Sequence, residues 1–265
     1  MKNFKFLIVL PYYNRPEMFR NGLKSLLEST YDNWHLAVID DGSDEGKKAQ
    51  PILEELLGED MPHKYILEDT RDTIEMKLKR GSTHASYMNK VMRESDADYV
   101  ITIGDDDGVH HEYFERLNTY YNKYPETTYS FCHVIPYDPM TEKPEVSTLA
   151  RRMKESKTNS PKNWRSDSFM RINHLNDVNP LNSVDGTQVS WNRKIVLEAG
   201  IEYNEKLTIN CDANIFTSLF NKFGLCKFNR TVGPYKAFHA NQMGMRHRHQ
   251  DANTLYNIQD TKING

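Results

Sequence analysis

Residues 99–108 read Tyr99-Val100-Ile101-Thr102-Ile103-Gly104-Asp105-Asp106-Asp107-Gly108, a short run of β-prone side chains that ends abruptly on three acids. A five-residue run of this kind, bounded by Gly-Asp, predicts a buried strand. Three successive carboxylates repel one another and gain nothing from a core, so something cationic is expected beside them. Carboxylates at alternate positions supply oxygen ligands to a hard divalent ion such as Mg²⁺ or Mn²⁺. The competing reading is a hydrated turn, since Asp and Gly both favour turns.

The same pattern recurs upstream. Phe4 to Leu10 reads as a buried strand stopped by Pro11, and Pro16 opens a helix whose Phe19, Leu23, Leu26 and Leu27 share one face. A second strand, Leu36-Ala37-Val38-Ile39, ends on Asp40-Asp41-Gly42-Ser43, and a helix follows carrying Ile52, Leu56 and Leu57. Tyr65-Ile66-Leu67 is a weaker third strand, and Ala85, Met88 and Met92 mark a helix after Gly81. Strands alternating with helices predict an α/β fold with a parallel sheet. Ligands of such sheets gather beyond the carboxyl ends of the strands, so the two acidic strand ends are expected to face one crevice.

Downstream, a helix (Phe114, Leu117, Tyr121) and a strand from Tyr129 to Val134 complete the first half. From about Ile135 to Asp167 the periodicity fails. Four prolines punctuate a polar stretch with seven basic residues, balanced by five acids, which reads as a long solvated or functional loop. Periodicity resumes with a strand near Thr187 to Trp191, a short helix stopped by Gly200, and a helix from Asp212 carrying Phe216, Leu219, Phe220 and Phe223 up to Gly224. The tail from 239 to 249 concentrates three histidines and two arginines in eleven residues.

Composition narrows the classes. The chain has 265 residues, 11% of them aromatic, with mean hydropathy −0.75, polar for a globular protein but too aromatic for a disordered one. Lys and Arg number 34 against 37 Asp and Glu, so no global basic field draws it to nucleic acid. Cys132, Cys211 and Cys226 have no metal or disulfide spacing, which suggests a reducing compartment. The longest early apolar run has five residues, too short for a leader or an integral membrane segment, so a cytoplasmic, intracellular location is expected.

Taken together, Ile8-Val9-Leu10-Pro11-Tyr12-Tyr13-Asn14-Arg15, Val38-Ile39-Asp40-Asp41-Gly42-Ser43 and Gly104-Asp105-Asp106-Asp107 resemble the family-2 glycosyltransferases of the GT-A fold. The resemblance covers about residues 4 to 125 and resumes from Val189 through Asp212 to Gly224. It implies one GT-A-like, Rossmann-like domain over 1–265 with a mixed, mostly parallel central sheet flanked by helices. Within it, 1–134 would bind the nucleotide-sugar, and 135–265 would form the acceptor and catalytic half with its basic tail. The activity implied is metal-dependent inverting transfer of a sugar from a nucleotide diphosphate, most often UDP, to an acceptor hydroxyl, with Mn²⁺ or Mg²⁺ as cofactor. A glycan, lipid-linked or protein acceptor is possible on these grounds.

Residue by residue, the resemblance maps nucleoside contacts to Pro11, Tyr13, Asp40 and Asp41. The D-x-D motif maps to Asp105 and Asp107, with Asp107 as the first choice for metal, Asp105 for ribose or sugar, and Asp106 able to shift the register by one. The family's general base falls on Asp212, where the expected preceding Glu is Cys211. Asp212 also suits an ordinary helix cap. In the tail, Arg246 is a candidate for the diphosphate, and His239 and His247 for completing a metal shell. Two rival functions follow from the same residues: a sugar nucleotidyltransferase, disfavoured by Pro11-Tyr12-Tyr13-Asn14 where a Gly-rich loop is expected, and a nucleotide-sugar binding module without turnover, which Cys211 keeps in view.

Overall fold

The computed structural model describes residues 1–58, 65–71, 83–137, 176–181, 184–207 and 211–237. Eight strands form one sheet: β1 (Phe6–Tyr12), β2 (Trp34–Asp40), β3 (Tyr65–Asp69), β4 (Tyr99–Thr102), β5 (Gly108–Val109), β6 (Tyr129–Tyr137), β7 (Val189–Asn192) and β8 (Lys227–Ala237). Their order is β3-β2-β1-β4-β7-β6-β8-β5. The pairs β1/β2, β1/β4, β2/β3 and β6/β8 are parallel, whereas β7 and β5 run antiparallel to their neighbours. This is the mixed, mostly parallel sheet expected.

Alternation along the strands divides the core. Phe6, Ile8, Leu10, Leu36 and Val38 face helices α1 (Pro16–Leu27), α2 (Gln50–Leu57) and, later in the chain, α4 (Tyr113–Lys123), through Phe19, Leu23, Leu53, Phe114 and Leu117. Leu7, Val9, Ala37 and Ile39 face α3 (Thr83–Glu94), α5 (Arg193–Glu198) and α6 (Cys211–Phe223), through Ala85, Met88, Val91, Val196, Ile215 and Leu219. Both faces are covered, so the strands read as continuous apolar runs.

Pro11 does not end β1, as the sequence suggested; the strand continues to Tyr12. The carbonyl of Val9 accepts from Ile103, so position 11 faces the same β4 side, two residues on. Register with β4 stops at Val9↔Thr102, and no partner there requires the N–H that proline lacks. β5 and β8 escaped sequence reading. Strand β8 contains Asn229, Gly233 and Pro234, passes through Arg230 at φ 58°, and pairs with β6 across two register shifts, so it has no regular alternation.

Strand order reverses at β1, which lies between β2 and β4. The crevice beyond the carboxyl ends of these strands is therefore the ligand position that the topology favours. Strand β8 is parallel to β6, and both oppose β7, so its carboxyl end reaches the same edge.

Candidate active site

Four loops meet at that edge. After β1, Asn14 adopts φ 55°, donates its N–H to Ser43 Oγ at 3.0 Å and accepts from Asp44 N–H at 2.9 Å, which ties the first strand end to the second. Asn tolerates this left-handed conformation better than most residues. Tyr13 N–H donates to Asp105 Oδ2 at 3.0 Å, joining the first strand end to the acid run. The N–H of Thr70, after β3, donates to the Asp40 carbonyl at 2.9 Å.

The two acids of the second strand end do different things. Asp40 is buried, and its oxygens accept the N–H groups of Ser43 and Ala49, each at 2.9 Å. It thereby builds the loop. Asp41 is half-buried, with Thr70 Oγ1 at 3.5 Å and His84 Nδ1 at 3.7 Å from its carboxylate. Of the pair, Asp41 is the more exposed, and these contacts of its carboxylate are looser than the two N–H bonds that Asp40 accepts.

The acid run is buried and compensated. Arg15 Nη1 reaches Asp105 Oδ1 at 2.9 Å and Asp106 Oδ2 at 3.1 Å. Asp107 accepts from Lys236 Nζ and from Ala237 N–H, both at 2.9 Å. Lys236 also lies 3.1 Å from Asp185 Oδ1. Asp185 is fixed in turn by a capping box, in which its side chain accepts from Thr187 N–H while Gln188 bonds back to its own N–H. Helix α1 closes the floor: Gly22 lies under the Asp107 carbonyl, and Ser25 Oγ accepts Val109 N–H at 3.0 Å.

Asp212 sits in the first turn of α6, against Gly186. Although the residue is exposed at one side, withdrawal of its carboxyl from bulk water raises its pKa, and Asp185 raises it further. Burial also lifts Asp105, against the pull of Arg15. It pushes Asp107 up to about 7, because burial with Asp106 and Asp185 outweighs Lys236. Burial alone would lower Lys236, but Asp107 and Asp185 hold it well above the usual lysine value.

Among the described residues, five carboxylates (Asp105, Asp106, Asp107, Asp185, Asp212) thus gather with two cations (Arg15, Lys236), an excess of three negative charges when all are ionised. Carboxylate oxygens are the donors that Mg²⁺ and Mn²⁺ select, so the acid run suits such an ion in the type of donor it offers. Among the described residues, the group of three ligand-type side chains whose donor atoms lie within 4.8 Å of one another is His110, His111 and Glu112, on the turn before α4. There the two rings stack, His110 Nδ1 accepts Glu112 N–H, and Glu112 pairs with Arg116.

The sequence model of Glycosyl transferase family 2 matches residues 7–183, about two thirds of the chain. The chain belongs to this family. Among solved structures it is similar to S. aureus TarS 1–349 in complex with UDP-GlcNAc, with a TM-score of 0.64 and 13% identity over 96% of this chain and 64% of that one. It is also similar to the mannosyltransferase PcManGT of Pyrobaculum calidifontis in complex with GDP-Man and Mn²⁺, with a TM-score of 0.56 and 13% identity over 94% of this chain and 60% of that one. These likenesses give the GT-A fold. Protein CgeD of Bacillus subtilis (strain 168) is 26% identical over 122 residues, which is 46% of this chain and 27% of CgeD. The chain therefore spans only about a quarter of that relative's length.

The crevice brings together Pro11, Tyr13, Asp41, Asp105, Asp106 and Asp107 from the expected set, with Asp40 beneath them. Arg246, His239 and His247 lie outside the described residues. The described chain ends at Ala237, whose N–H is bonded to Asp107. Trp191 is core, packed edge-on against Tyr203. Sequence reading gave no role to Arg15, Asp185 or Lys236. Arg15 stood within a quoted motif, and Lys236 is a lone cation after apolar residues in a segment whose breakers hid the strand. No helix among the described residues is long and apolar enough to cross a membrane.

Proposed function

We propose that this protein is an inverting glycosyltransferase that moves a sugar from a nucleotide diphosphate donor, a UDP-sugar being the first choice, to an acceptor hydroxyl. The observation that carries this reading is the convergence of three strand-end loops on a buried acid run, with Asp212 linked to that run through Asp185 and Lys236. The family and the nucleotide-sugar complexes of TarS and PcManGT support it. In this reading one domain divides into a donor half, 1–134, and an acceptor half, 135–265.

Asp41, beside Pro11 and Tyr13, accepts hydrogen bonds from the nucleoside, as acids do at other doubly wound sites. Asp105, Asp106 and Asp107 would hold a divalent cation, Mn²⁺ or Mg²⁺, with His239 or His247 completing its shell and Arg246 meeting the diphosphate. Such an ion supplies positive charge against the departing diphosphate. Arg15 and Lys236 keep the acid run folded by offsetting part of its mutual repulsion. Asp212 takes the proton of the acceptor hydroxyl as the oxygen attacks the anomeric carbon, and its raised pKa makes it a stronger base than an ordinary carboxylate.

The test is release of nucleoside diphosphate from a panel of UDP- and GDP-sugars in the presence of glycan acceptors, with Asp212→Asn alongside. Turnover that falls at least about a hundredfold in the variant, with donor binding retained, is the expected result. A variant that turns over like the wild type removes Asp212 from the role of base. Donor binding without turnover in the wild type favours the second reading, a binding module, to which Cys211 in place of Glu points.

A further inference from the structure

Lys236 is the least expected member of the site. A lysine ammonium is strongly hydrated and is seldom withdrawn from water without a partner. Here its side chain is 11% exposed and rests between Asp107, whose side chain is fully buried, and Asp185. Both ends of this bridge are held. Asp185 is locked by its capping box, and Asp107 by the N–H of Ala237 on its other oxygen.

This arrangement leaves Asp107 with each oxygen already engaged by the end of β8. A divalent ion approaching that carboxylate meets a positive charge 2.9 Å from the oxygen it requires. The ammonium has a second resting place on Asp185 at 3.1 Å, so it can give up Asp107 without becoming an unpaired buried charge.

We propose that Lys236 is a built-in counter-ion that competes with the divalent cation for Asp107 and so sets the affinity of the acid run for metal. It acts as a positioning residue: it holds the Asp107 carboxylate in place and yields it when the ion arrives. The proposal rests on the reading of the acid run as a cation site.

The test is Mn²⁺ affinity of the full chain, read from the electron paramagnetic resonance signal of free Mn²⁺ at pH 8, for wild type, Lys236→Gln and Lys236→Arg. Circular dichroism on each protein establishes that it is folded. Gln keeps a donor to Asp107 but removes the charge, whereas Arg keeps the charge. The repulsion between a unit charge and a divalent ion a few Å apart, even screened as in water, predicts about tenfold tighter binding in Lys236→Gln. Lys236→Arg should stay within about threefold of wild type on the same reasoning. A folded Lys236→Gln that binds Mn²⁺ as weakly as wild type, or more weakly, overturns the proposal and leaves the cation site standing. No Mn²⁺ binding by any of the three proteins overturns both. A purely structural role for Lys236 would leave the affinity unchanged or reduce it.

Discussion

Gly22→Ala is the perturbation that most directly probes how the acid run is held. Gly22 lies within α1, in a helical backbone that alanine accepts, so the change is not penalised by conformation. A Cβ built there would sit 2.3 Å from the Asp107 carbonyl oxygen, a backbone atom that no rotamer change can move aside. Relief to 3.0 Å requires helix and acid loop to part by about 0.7 Å. A clash with a backbone atom falls in the upper part of the overpacking range, about 2–3 kcal/mol, and the better helix propensity of Ala returns about 1 kcal/mol, leaving a net loss of about 1–2 kcal/mol. For a domain of this size that corresponds to a fall in Tm of about 3–6 °C. The same displacement moves Asp107 relative to Lys236, so nucleotide binding should weaken as well. Gly46→Ala, at an exposed position with nothing within 4 Å, is the control and should change stability by less than about 0.5 kcal/mol. Thermal melts and nucleotide titrations on both variants decide the matter. A Gly22→Ala protein as stable as wild type, with unchanged nucleotide affinity, would refute the packing argument.

Other consequences follow from the same geometry. Because the folded-state pKa of Asp107 is raised to about 7, its neutral form favours folding; this stability is complete below the unfolded pKa near 3.8 and is lost as pH rises through 7. Asp107→Asn should therefore flatten the decline of Tm between about pH 4 and pH 7, measured by melts across that range. Asp40→Ala leaves the N–H groups of Ser43 and Ala49 without their acceptor and should cost about 2 kcal/mol or more in denaturant titration. Asp41→Ala should cost less stability than Asp40→Ala, because its contacts with Thr70 and His84 are longer, and should weaken nucleotide binding; equal stability losses in the two variants would dissolve the distinction drawn between them.

How much of this was legible beforehand depends on whether a residue's role is local. Strand β2, ending on Asp40, strand β4, running into the acid run, and the helices of Phe19, Met88 and Phe216 announce themselves by periodicity, and the parallel sheet follows from their alternation. Pro11 misled because a proline in a strand is harmless once the neighbouring strand has ended. β8 was invisible because its glycine, proline and left-handed Arg230 erase the alternation, and its pairing with β6 is set by contacts distant in sequence. The same non-locality hid the site's cations. Asp105 to Asp107 can be read as a cluster from three letters, but that Lys236 answers Asp107 across 129 positions only the fold can say. Likewise, Asp40 and Asp41 are equivalent in sequence and distinguishable only by which of them faces its own loop.

The measurement that bears most directly on the donor crevice is calorimetric titration of a panel of nucleoside diphosphates into the protein with and without Mn²⁺, repeated on the single Asn variants of Asp105, Asp106 and Asp107. The account predicts that one nucleoside diphosphate binds, that Mn²⁺ strengthens the binding, and that at least one of the three substitutions abolishes the Mn²⁺ effect. Absence of binding by every nucleotide under both conditions would contradict it.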